Sequence, residues 1–118
     1  MHEGDTAEIT RQFSPEDIDA YVQLGGAASD CVPEPLIGGL FSYLLGVRLP
    51  GLGTMYMKQE TTFLDSPARH ETLTARVEIT RIREEKHLVD LKTTCHSASG
   101  RLVAEGRALV YVRDVVQS

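Results

Sequence analysis

The sequence predicts an α+β domain in which one antiparallel sheet covers a single apolar helix. Three observations carry this. Apolar residues recur with helical spacing at Leu36, Ile37, Leu40, Phe41, Leu44 and Leu45. After Pro50-Gly51 the pattern turns to strict alternation and keeps it to Val112. Turn residues at Asp65-Ser66-Pro67, Arg83 to Lys86 and Ser97 to Gly100 then divide that stretch into four strands, which tight connections should make antiparallel neighbours.

Taken in order, residues 8–13 read as a short first strand. Ser14-Pro15-Glu16-Asp17 starts a helix: serine caps it, proline suits the first helical position, and the two acids sit where the helix dipole favours negative charge. Ile18, Tyr21, Val22 and Leu24 form its apolar stripe, and Gly25-Gly26 ends it. Residues 27–32 show no period and read as loop. The main helix follows from about Pro35 to Leu45, closed by Gly46. Two glycines inside it, Gly38 and Gly39, each cost about 1 kcal/mol relative to alanine. They imply a close neighbour, either the sheet packed tightly on the helix or a ligand.

The strands alternate clearly. Leu73, Ala75, Val77 and Ile79 share one face, as do Val89, Leu91, Thr93 and Cys95, and then Leu102, Ala104, Ala108, Val110 and Val112. On the strand after the main helix, Tyr56 and Gln59 fall on opposite faces by simple alternation, so only one of them would point toward a pocket.

Composition bounds the function. A chain of 118 residues fits one domain, 1–118, with no internal repeat or linker. A net charge of −5 argues against a general nucleic-acid binder and against anionic membranes. No apolar run reaches the ~20 residues of a membrane span, and the first residues are no signal peptide, so a cytoplasmic location is the expectation. Cys31 and Cys95 read as reduced structural thiols, and His70, His87 and His96 are spaced too widely for a local metal site. No cofactor is implied.

The chain resembles the MaoC-like hotdog superfamily, which includes (R)-specific enoyl-CoA hydratases. The residues that carry the resemblance are Phe13-Ser14-Pro15-Glu16-Asp17 with Tyr21, Leu44 to Thr54 around Leu49-Pro50-Gly51, Phe63 to Pro67, Leu73 to Glu78, and Glu105-Gly106-Arg107-Ala108. It implies a hotdog fold, an acyl-CoA or acyl-carrier thioester as substrate or ligand, and a homodimer or larger assembly that covers the sheet edges.

Such hydratases carry Gly-Asp-x-Asn-Pro-x-His after the first helix, where aspartate and histidine act as base and acid around one water. Here Gly25-Gly26 is followed by Ala27-Ala28-Ser29-Asp30-Cys31-Val32-Pro33, with no Asn-Pro, no histidine, and a connection shorter by about a dozen residues. The aspartate position falls on Ala27. Asp30 is then a lone candidate acid or an ordinary loop residue.

Glu34 is the other catalytic candidate. It stands at the start of the main helix, where the Leu36 and Ile37 amides could hold a thioester oxyanion; Pro35 has no N–H to offer. The resemblance to hotdog thioesterases gives Glu34 a base or nucleophile role. The plain alternative is that it complements the helix dipole, worth ~0.3–1 kcal/mol. Leu36, Ile37, Gly38, Gly39, Tyr56 and Gln59 are the candidate substrate-binding residues. Arg48, Lys58, Arg81, Arg83 and Lys86 could meet CoA phosphates or simply be solvated. Three functions stand open: a thioester enzyme of altered chemistry, a catalytically silent thioester binder or partner of an active homologue, and a structural subunit.

Overall fold

The computed structural model describes residues 1–23, 32–51, 54–68 and 71–113, without the side chains of 21–23 and 56. Strand β1 (Thr6–Gln12) leads into helix α1 (Pro15–Gln23); helix α2 (Glu34–Tyr43) continues into a π-helical turn (Leu44–Arg48); strands β2 (Thr54–Phe63), β3 (Thr72–Arg83), β4 (Leu88–Ser97) and β5 (Leu102–Val112) follow. All pairings are antiparallel, in the order β1-β3-β4-β5-β2.

The start of α1 forms as its sequence dictates. The Asp17 amide donates to Ser14 Oγ at 3.1 Å while the Ser14 amide donates to Asp17 Oδ2 at 3.0 Å, a reciprocal cap with aspartate in place of the usual glutamate. Those bonds, Ser14's above all, hold the Asp17 carboxyl below its ordinary range.

Helix α2 buries Ile37, Leu40 and Phe41, and the π-turn adds Leu44 and Leu45. They pack on the inner sheet face, where Leu73, Ala75, Val77, Ile79, Val89 and Leu91 are fully or almost fully buried. Each buried Val, Leu, Ile or Phe side chain among them contributes about 1.5–3 kcal/mol relative to exposure.

Three features depart from the expectation. Gly46 does not close the helix: the chain winds on, the Leu49 amide donates to the Leu44 carbonyl at 2.7 Å, and Gly51, at φ 93°, turns the chain out. The buried pair Leu44 and Leu45 anchors this extra turn to the core. Second, β2 is not the neighbour of β3. It lies outside β5, and the connection 64–71 carries the chain across: the Leu64 amide donates to the Val103 carbonyl at 2.8 Å, prolonging the β2–β5 pairing. Arg101 then binds Asp65 and, at 3.2 Å, Glu71, tying this crossing to the β4–β5 turn.

Third, the alternation breaks at three bulges, at Met57, Thr80 and Val103, where one strand carries a residue with no partner opposite. The bulge at Val103 buries that residue and leaves Leu102 only half-buried. Each bulge bends its strand and adds twist, which is how a single sheet curls around one helix.

Candidate functional site

The crevice between α2 and β2 is where the predicted residues gather. Glu34, Pro35 and Gly38 line one wall of an open cavity of about 430 Å³, and Gln59, Thr61 and Phe63 line the other. Gln59, Thr61 and Phe63 alternate along β2 and pair with Ala108, Gly106 and Ala104 of β5, so they share the inner face. Thr61 and Phe63 are missing from the sequence-derived set. Their spacing of two and four from Gln59 on one strand was the signal for them.

The bulge changes which β2 positions belong to this wall. Tyr56 pairs with Val110 and Gln59 with Ala108, two residues apart on β5, because Met57 has no partner. Positions 56 and 59 therefore lie on the same face, not on opposite faces as unbroken alternation would have it.

The other candidates divide. Leu36 and Gly39 line a separate groove on an adjacent face of α2, and the Ile37 side chain sits in the core. The Leu36 amide donates to the Pro33 carbonyl at 3.0 Å. Pro33 and Pro35 have no N–H, so this helix start is poor in free donors for an oxyanion. Asp30, Ala27 and Cys31 lie outside the described residues.

Gly38 and Gly39 have no heavy atom within 4 Å of where a side chain would begin. Close packing of helix on sheet is therefore not what these glycines serve. Each opens onto a different groove, on adjacent faces of the helix, with Pro35 on the rim of both.

Elsewhere, Arg48 stacks over Tyr43 at 5.9 Å, Lys58 pairs with Glu60 at 3.0 Å, and Arg83 pairs with Asp90 at 3.1 Å. His87 stacks on Tyr111 with ring centroids 5.7 Å apart. Burial pushes the Cys95 thiol up to about 11, as befits an inert core cysteine. Among the described residues no cluster of His, Cys, Asp or Glu could hold a metal, and no helix is long and apolar enough to cross a membrane.

An antiparallel sheet curled around one central helix, with an open crevice beside that helix, defines a hotdog-fold protein. Comparison with known proteins narrows the class. The chain is 30% identical over 123 residues to an (R)-specific enoyl-CoA hydratase of Aeromonas caviae, covering 91% of this chain and 92% of that protein. It is 40% identical over 128 residues to an (R)-specific enoyl-CoA hydratase of Rhodospirillum rubrum, covering 95% and 88%. The chain belongs to the (R)-specific enoyl-CoA hydratase family. The solved (R)-hydratase from A. caviae, involved in PHA biosynthesis, superposes with a TM-score of 0.89 at 27% identity over 95% of this chain and 97% of its own. No family model matches the sequence.

Proposed function

We propose that the protein is a cytoplasmic homodimer, or larger homo-oligomer, that binds an acyl-CoA or acyl-carrier thioester in the crevice between α2 and β2, without the acid–base pair that hydrates an enoyl thioester. The observation that carries this reading is the meeting of Glu34 and Gly38 with Gln59 in one cavity. Family membership supports the thioester, since the relatives are named for enoyl-CoA hydration.

Two observations support the loss of hydration. Adding water across a double bond needs one group to take a proton from water and one to deliver a proton to the neighbouring carbon. This chain has no histidine between His2 and His70, and the segment between α1 and α2 together with the first residue of α2 offers only Asp30 and Glu34 as acids. The alignments with the relatives run over 123 and 128 residues, more than the 118 of the whole chain, so the relatives carry residues that have no counterpart here.

A second reading, thioester hydrolysis, is favoured by Gln59 facing Glu34 across the cavity. Glu34 would take a proton from water, the hydroxide would add to the thioester carbonyl, and the thiol would leave carrying that proton, with the Gln59 amide as donor to the oxyanion.

Pure protein tested against crotonyl-CoA and a panel of short, medium and long acyl-CoAs decides between these readings. Expected are hydration at background, a loss of ~10²–10⁴-fold or more against a competent acid–base pair, and saturable binding of at least one acyl-CoA. Clear formation of the (R)-3-hydroxy product overturns the lost-pair reading, and absence of binding across the panel leaves a structural subunit. Release of free CoA that disappears in Glu34→Gln, with binding retained, assigns hydrolysis.

A further inference from the structure

We propose that the groove on the adjacent face of α2 is a second ligand site, separate from the thioester crevice, that takes an alkyl chain ending in a neutral hydrogen-bonding group, an aliphatic amide. The groove has a volume of about 600 Å³ and runs between β1, α1 and α2. Its walls are apolar: Ile9 and Phe13 on one side, Leu36, Leu40 and Tyr43 on the other. That volume lies within the range of small-molecule sites, and an apolar lining with a few placed polar groups is their usual composition.

Gly39 is the first specific feature. It lines this groove, and nothing lies within 4 Å of where its side chain would begin. A glycine inside a helix costs about 1 kcal/mol relative to alanine, and no contact within the described chain requires one here. Its effect is to keep the groove open.

The polar rim is the second. Arg11 and Asp17 line the same groove and face each other, Arg11 Nη2 lying 3.4 Å from Asp17 Oδ2. Neither is free to swing away: the Arg11 guanidinium stacks over the Phe13 ring at 4.9 Å, and Asp17 is held by its cap bonds with Ser14. The same bonds keep Asp17 ionised at neutral pH. The rim thus offers a donor fork beside a carboxylate acceptor, with no net charge. A carboxylate head would meet Asp17 as a like charge and an ammonium would meet Arg11. An amide supplies a carbonyl for Arg11 and an N–H for Asp17, and so matches both halves of this half-exposed pair.

Calorimetry at pH 7 with decanamide, decanoate, decylamine and decanoyl-pantetheine tests this. Decanamide should bind saturably, at least tenfold tighter than decanoate or decylamine. Decanoyl-pantetheine distinguishes a simple fatty amide from the amide-bearing arm of a thioester: tighter binding than decanamide that is blocked by filling this groove makes the pantetheine arm the source of the amide. Gly39→Leu, which fills the groove from an open position, should weaken decanamide at least tenfold, and Arg11→Met should erase the preference over decanoate. Gly38→Leu, which lines the thioester crevice and not this groove, should leave decanamide within twofold while abolishing acyl-CoA binding, so failure here and failure of the thioester reading are told apart. Circular dichroism of each variant verifies folding, and Gly39→Ser serves as a smaller plug should the leucine variant not fold. No saturable decanamide binding, equal affinity for decanoate, or indifference to both Gly39 variants would overturn the proposal.

Discussion

Gly106 of β5 stands so close to Glu60 of β2 that a side chain beginning there would meet the Glu60 carbonyl oxygen at 1.9 Å and the Thr61 Cα at 2.9 Å. Backbone cannot yield as a flexible side chain can, so Gly106 is what lets the sheet close at this point, directly behind Thr61 of the crevice. Gly106→Ala should cost about 2–3 kcal/mol and lower the melting temperature by roughly 10 °C. Calorimetry that finds it as stable as the wild type would mean the strands can part there freely.

The two helical glycines should behave in the opposite way. Gly38→Ala and Gly39→Ala each add a methyl to open space, so each should leave stability unchanged or raise it by up to ~1 kcal/mol in urea unfolding. Destabilisation by more than ~1 kcal/mol would place another chain against the helix in solution.

Assembly is the third expectation. β2 forms one margin of the sheet, and on it Met55 and Met57 are 64% and 60% exposed. An unpaired strand edge flanked by exposed apolar side chains is a liability that pairing removes. Light scattering at micromolar concentration should give at least twice the monomer mass, and Met57→Lys should shift the protein toward monomer. A monomeric wild type would refute this.

Alkali should destabilise the protein through Cys95. Burial disfavours the thiolate and pushes this thiol up to about 11 in the folded protein, from 9.0 for a free thiol. A raised folded value for a group that becomes negative means full stability below about pH 9, lost progressively as pH climbs to about 11. The loss should reach about 2 kcal/mol by pH 11 and should be absent in Cys95→Ala compared with its own value at pH 7. Iodoacetamide should leave native Cys95 unmodified at pH 8 and label it in urea.

Much of this architecture could be read directly from the chain. The cap at Ser14 and Asp17, the apolar stripe of α2 and the buried faces of β3 and β4 follow from local chemistry and spacing, which one sequence displays fully. What escaped was non-local. That β2 lies beside β5 depends on where the connection 64–71 crosses, and no residue in β2 names its partner. The end of the helix was misjudged because Gly46 marks a stop by propensity alone, while the burial of Leu44 and Leu45 holds the next turn in place. The ambiguity at Gly38 and Gly39 was of the same kind: glycine announces a close approach without saying from where, and here nothing within the described chain approaches. Gly106 enters the sequence reading only as part of the resemblance, with no structural role, although it is the glycine on which the sheet depends.

The unpaired residue at Met57 makes the identity of the crevice wall hang on a count of one. Upstream of it, residues 54–56 are phased by the far side of the bulge; downstream, Gln59, Thr61 and Phe63 are phased by the near side. Loss of that single codon would only straighten the strand, since residues 54–56 and 58–63 already stand opposite the β5 partners a regular ladder would give them; closing the bulge with Met57 retained would instead rotate the upstream stretch through half a turn, exchanging the side chains turned to the helix for those turned to solvent. The lining at that end of the crevice is therefore set by whether the ladder absorbs or excludes Met57, and not by the residues of the strand alone.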